Sequence, residues 1–120
     1  MRSSTAKNWE EKLLDDEKIH HLIHLGKTKP NFMPQLVEAF AKCAVEIFAE
    51  LKGRRADRQT VQHLGHRLAV LASNIGASKL ERLAAAIESA GEEGRLMDVD
   101  GLIDQAEMAF FETRELLSVK

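Results

Sequence analysis

The feature that most constrains the fold is a series of apolar stripes at spacings of three and four residues, each bounded by a glycine or a capping residue. The most regular is Val61, Leu64, Leu68, Leu71 and Ile75. That spacing puts five aliphatic side chains on one face of an α-helix, whereas a strand would scatter them over both faces. Asp57 stands where an N-cap belongs, and Gly76 where a left-handed residue ends a helix. Upstream, Phe32, Leu36, Phe40, Cys43, Ile47 and Leu51 predict a long second helix reaching about Lys52, with Pro34 tolerated in its first turn and Gly53 interrupting it. A shorter first helix, capped by Asp15 or Asp16, carries Ile19, Leu22, Ile23 and Leu25 and stops at Gly26, before the turn Lys27 to Pro30. Beyond Gly76, Ser78 and Glu81 form a capping-box pattern for a fourth helix bearing Leu80, Leu83, Ile87 and Ala90, closed by the run Gly91 to Gly94. Asp98 then caps a fifth, with Leu102, Ile103, Ala106, Phe110, Thr113 and Leu117 on one face.

Four long helices with one apolar stripe each, joined by short connections, bury those stripes best as an antiparallel up-down four-helix bundle, all-α, with the short first helix laid across it. A chain of 120 residues fits one such domain. Residues 1–12 are polar and unpatterned, so they read as an N-terminal tail or linker in which Trp9 could pack locally; residues 13–120 read as the bundle domain. Seventeen basic against nineteen acidic residues leave a net charge of −2, which provides no electrostatic footprint for nucleic acid or an anionic membrane. No apolar core of a signal peptide lies in Met1 to Glu11 and no run of apolar residues could span a bilayer, so the cytoplasm is the expected compartment. Cys43, the single cysteine, excludes an intramolecular disulfide and reads as core filler.

One polar residue on the third helix stands out by its direction. His66 lies roughly 170° from the mean direction of the apolar stripe and therefore points outward. Gln59, Gln62, Ala69, Val70 and Ser73 share its face, with Gly65 and Arg67 on either side. Small and apolar side chains thus surround the histidine where a solvated helix would carry Lys and Glu. An exposed imidazole, with a pKa near ~6.5, is largely neutral at pH 7 and offers one ring nitrogen as a nucleophile. Gln62, one turn earlier, is placed to hydrogen-bond the other nitrogen. A lone outward histidine is more often an ordinary surface residue, so spacing by itself leaves both readings open. His63 is the internal competitor, about 110° from the core direction and hence on the flank. His20, His21 and His24 include an i, i+4 pair resembling half of a zinc site, but no third ligand or Glu-x-x-His pair accompanies them. No metal is expected.

The segment His66 to Ala77, HRLAVLASNIGA, resembles the signature of the histidine phosphotransfer (HPt) family. There the accepting histidine is followed two residues on by Leu, and the motif closes with Asn, an aliphatic residue, Gly and Ala. His66, Leu68, Asn74, Ile75, Gly76 and Ala77 match in register, and Leu80 follows where the family begins its next helix. The resemblance runs outward through LLDDEKIHHLIHLG and GEEGRLMDVDGL and covers about residues 13–118. It implies a phosphocarrier that relays a phosphoryl group between receiver-domain aspartates through phospho-His66 in a two-component phosphorelay. Gln62 and Arg67 would support the histidine. The receiver would dock on Gln59, Ala69, Val70 and Ser73 together with Ala41, Val45 and Phe48 from the outer flank of helix two.

No kinase activity of its own and no resident cofactor are implied; Mg²⁺ would come with the receiver. The implied partners are response-regulator receiver domains and a hybrid histidine kinase, with the chain a monomer. Two positions depart from the family, which usually has Lys three and Gly four residues after the histidine where this chain has Ala69 and Val70. Val70 should lean over His66. That departure motivates an alternative: a degenerate module that binds receivers or another protein without carrying phosphate. The basic group Lys52, Arg54, Arg55 and Arg58 lies roughly 13 Å along the axis from His66 and reads either as a solvated connection or as a contact for acidic partner surface.

Overall fold

The computed structural model describes residues 12–119, and all regular structure among them is helical. Five helices follow one another: α1 (Asp16–Leu25), α2 (Phe32–Gly53), α3 (Arg58–Ile75), α4 (Ser78–Glu93) and α5 (Val99–Ser118), with single 3₁₀ turns at Gly26–Thr28 and Leu96–Asp98. The tail expected at the N-terminus, Trp9 included, lies outside the described residues apart from Lys12. No helix among the described residues is long and apolar enough to cross a membrane.

The apolar stripes close into the expected bundle. α3 packs against α2 and α4, and α5 packs against the same two helices, so α3 and α5 stand diagonally across the core. Leu51, Leu64, Leu68, Ile75, Leu80, Ile87, Ile103 and Leu117 are buried there, with the rings of Phe40 and Phe48 tilted against Phe110 at 5.4 and 5.8 Å between centroids. α1 lies across one end of the bundle. The Asp15 N–H donates to the Gly76 carbonyl at 2.8 Å, and Lys18 and Ile19 cover Gly76 from above.

The helix ends follow from local chemistry. Asp15 accepts from the Glu17 and Lys18 N–H groups, and Asp57 from Thr60, so each satisfies donors that have no partner within the helix. Gly76 and Gly94 both end their helices at φ +76°, a left-handed conformation that carries little strain only without a Cβ.

Three expectations need correction. Ser78 does not cap α4. Gly76 ends α3 so abruptly that only Gly76 and Ala77 separate the helices and Ala77 must take the cap position, which leaves Ser78 as the first helical residue, its hydroxyl donating to the Lys12 carbonyl. Asp98 likewise makes no side-chain cap, because it belongs to the 3₁₀ turn, where its carboxylate accepts from Arg95 at 2.8 Å. Cys43 is exposed and is not core filler. The buried stripe of α2 is Val37, Phe40, Ala44, Ile47, Phe48 and Leu51, rotated toward α5 and wider than the pattern suggested, because α2 faces both α3 and α5.

Candidate functional site

α3 buries Val61, Leu64, Leu68, Ala72 and Ile75 and turns His66 to solvent, with 61% of its side-chain surface accessible while Leu68 is fully enclosed. The register expected for this helix therefore holds. Leu71 is the exception, only partly buried at the edge toward α2, with Ala72 taking its place inside.

The surroundings of His66 depend on how closely α4 approaches. Two glycines sit in helix interiors, where glycine costs about 1 kcal/mol relative to alanine, and both are buried at the α3–α4 contact. A Cβ on Gly65 would lie 2.5 Å from the Glu88 backbone nitrogen, and one on Gly91 would lie 2.6 Å from that of Gln62. Each glycine thus lets its helix touch the backbone of the other. The contact sets the antiparallel register and brings Glu88 to His66, whose Nδ1 is 3.3 Å from the carboxylate Oε2. A carboxylate at Nδ1 favours the tautomer with its proton there, in which Nε2 carries the lone pair.

Sequence reasoning gave this role to Gln62. Among the described residues no hydrogen bond joins Gln62 to His66, and the Gln62 backbone is instead pressed against Gly91. Glu88 was missed. The available signal was the pair Gly65 and Gly91, since glycine inside a helical pattern often marks close backbone approach.

Two shallow depressions flank the histidine. Toward α2 the lining is Cys43, Ile47, His66, Arg67, Val70, Leu71 and Asn74; toward α4 it is His66, Ala69, Val70, Ser73, Asn74 and Glu81. His66, Val70 and Asn74 are common to both and form the ridge between them. Val70 stands one turn beyond the imidazole, 46% exposed. Arg67 and Gln59 are exposed, and Ala69 and Ser73 are half-buried. His63 is exposed but lines neither depression.

The residues of helix two expected to join this surface do not. Phe48 is buried against Phe110. Ala41 lines a groove between α2 and α5 with Arg114 and Leu117. Val45 is exposed, yet it lies two residues beyond Cys43, roughly 200° around the helix, and so faces away from α3. The expectation took Cys43 as core-facing and so assigned the wrong flank; Cys43 and Ile47 are the α2 residues beside His66.

The basic group at the α2–α3 connection is committed within the chain. Lys52 pairs with Glu107 at 2.6 Å, Arg55 with Asp100 at 2.7 Å and Arg54 with Asp57 at 3.0 Å. Arg58 donates to the carbonyls of Gly91 and Glu92 at the end of α4. No group of His, Cys, Asp and Glu among the described residues is arranged to hold a metal ion, and His20, His21 and His24 form no such site.

Comparison with known proteins agrees with this geometry. Residues 31–118 match the family model of the Hpt domain. No curated protein matches the chain. Among solved structures, the fold is similar to the crystal structure of histidine-containing phosphotransfer protein B (HptB) from Pseudomonas aeruginosa PAO1. The TM-score is 0.81 at 25% sequence identity, over 91% of this chain and 94% of that one.

Proposed function

This chain belongs to the Hpt domain family, and from that premise we propose that His66 is the histidine that carries its phosphoryl group. Histidine phosphotransfer in phosphorelay signalling is the role of the protein, as a phosphocarrier and not a kinase. The observation that carries the assignment to His66 is its setting. It is an exposed imidazole on the ridge between two depressions, with Glu88 3.3 Å from Nδ1, so that Nε2 is the nitrogen left for chemistry.

In this reading a receiver domain docks over the ridge and presents an aspartyl phosphate together with its own Mg²⁺. The Nε2 lone pair attacks phosphorus in line, the N–P bond forms, and the bond from phosphorus to the aspartyl oxygen breaks with its electron pair returning to the carboxylate. The ring becomes an imidazolium, and Glu88 faces the proton it retains at Nδ1. Transfer to a second receiver runs the same steps backwards. Charge stabilisation in phosphoryl transfer comes mostly from the metal and from positioning, so a carrier requires little beyond an oriented nucleophile. Docking then involves Gln59, Ala69, Val70 and Ser73 from α3 with the exposed Cys43 from α2, and Arg67 borders the approach. The carrier is a cytoplasmic monomer, its domain spans residues 13–120, and it receives phosphate from a hybrid histidine kinase.

One experiment tests the assignment. Incubated with excess phosphorylated receiver and Mg²⁺, the wild-type protein should acquire one phosphoryl group, stable to alkali and labile to acid. His66→Gln should remove the label and His63→Gln should keep it; a labelled His66→Gln protein sinks the proposal. The exposure of Val70 beside His66, with Ala69 before it, favours a second reading in which the domain binds receivers without accepting phosphate. Receiver binding with no label on wild type would establish that reading instead.

A further inference from the structure

The outer face of α5 carries a surface that nothing in the described chain covers. Gly101, Asp104, Met108, Phe111 and Glu115 follow one another along α5 at alternating steps of three and four, the spacing of a seam along which a second helix packs, and Met97 precedes them in the 3₁₀ turn. Met97 is 97% exposed, Met108 65% and Phe111 54%, and Gly101 opens onto free space. The Phe111 ring is braced by Phe110, 5.3 Å away between centroids, and so stands as a fixed apolar projection. Large apolar side chains exposed together within a polar rim are the composition of an interaction site.

The rim is acidic. Met108 and Phe111 share a shallow depression with Asp104, Glu107, Glu112 and Glu115, where Arg114 is the one cation. Glu107 is occupied by Lys52, whereas Asp104, Glu112 and Glu115 form no ion pair with another described residue.

We propose that this face docks an amphipathic helix of a partner protein whose apolar seam seats on Met108 and Phe111 and whose flanking lysines or arginines face these carboxylates. Charge decides against the other occupants. A second copy of the chain would set carboxylate against carboxylate, and an anionic bilayer would meet the same repulsion. Because α5 stands diagonally across the bundle from α3, the partner helix leaves the His66 face open, and the two surfaces can be engaged together. This surface stands independently of which histidine accepts phosphate.

The test uses the full chain and a fluorescein-labelled peptide of about three heptads, with leucine at the seam positions and lysine on the flanks. Its controls are a scrambled peptide of the same composition and a version with glutamate for lysine. The lysine peptide should bind, both controls should not, and backbone amide shifts should change along Met97 to Glu115. Met108→Lys with Phe111→Lys should weaken binding about tenfold or more while the helical circular dichroism is unchanged. Asp104→Lys with Glu115→Lys should do the same and should admit the glutamate peptide. Equal affinity for the scrambled peptide, an unchanged affinity in both double variants, or shifts confined to α2 and α3 each overturn the proposal. So does sedimentation of the wild type as a dimer that Phe111→Lys dissociates, or binding to phosphatidylserine vesicles in place of the peptide.

Discussion

A helical wheel can rank neighbours on one helix but not across two, and the pair His66 and Glu88 shows the difference. The outward direction of His66 follows from its angle to Leu64 and Leu68, so it was legible in the sequence. Its partner was not, because Glu88 reaches the imidazole only once Gly65 and Gly91 have set the register of α4 against α3. The same limit explains Phe48 and Cys43, whose exchange of places depends on which helix lies on which side of α2. Glu88→Ala should slow phosphoryl transfer about tenfold, equivalent to 1.4 kcal/mol of barrier, with unfolding by urea little changed. The reading that separates orientation from general damage is the imidazole ¹⁵N spectrum. In Glu88→Ala the share of the Nδ1–H tautomer of His66 should fall, and in Glu88→Gln, which keeps an acceptor, it should be partly restored. An unchanged tautomer balance together with slowed transfer would remove Glu88 from the positioning role.

At the scale of the helix, the ends that were legible are those whose signal is self-contained. Asp15 and Asp57 cap with their own carboxylates, and Gly76 and Gly94 end helices by their own dihedral angles. Ser78 and Asp98 failed as caps because the connection before each, and not the residue itself, decides the position. The Asp57 carboxyl is held below the ordinary carboxylate range by the Thr60 N–H and then by Arg54. A depressed native pKa stabilises the fold where the carboxyl is ionised, and that contribution disappears as pH falls through the native value. Asp57→Ala should therefore lower the melting temperature at pH 7, and the gap from wild type should narrow as the pH is lowered into the carboxylate range. A gap of constant size would mean the charge of Asp57 is irrelevant to the cap. Gly65→Ala tests the close approach of α3 and α4. Alanine improves helix propensity by about 1 kcal/mol, but its methyl group meets the Glu88 backbone, and overpacking of this kind costs roughly 1 to 3 kcal/mol. Urea titration should show net destabilisation, and a more stable variant would show that the two helices separate without cost.

Across the whole molecule, the bundle and its core were legible because four stripes of matched length have few ways to bury one another. The placement of the basic connection was not, since Lys52 and Arg55 find Glu107 and Asp100 only after α5 has closed the ring. Leu68 is fully enclosed at the centre, and Leu68→Ala should cost about 2 to 5 kcal/mol of unfolding free energy through the cavity it leaves. A loss below 1 kcal/mol by urea denaturation would mean that the core collapses around the vacancy. The glycine contact between α3 and α4 also bears on the order in which the molecule assembles. These two helices are neighbours in sequence, and only Gly76 and Ala77 separate them. Closing so short a loop demands little chain entropy, and contacts that are local in sequence form fast. The imidazole and its carboxylate therefore sit on the hairpin best placed to form before α2 and α5 are recruited. Amide exchange in the native protein should accordingly be slowest along the facing sides of α3 and α4, so that a chain with frayed outer helices would still hold His66 against Glu88.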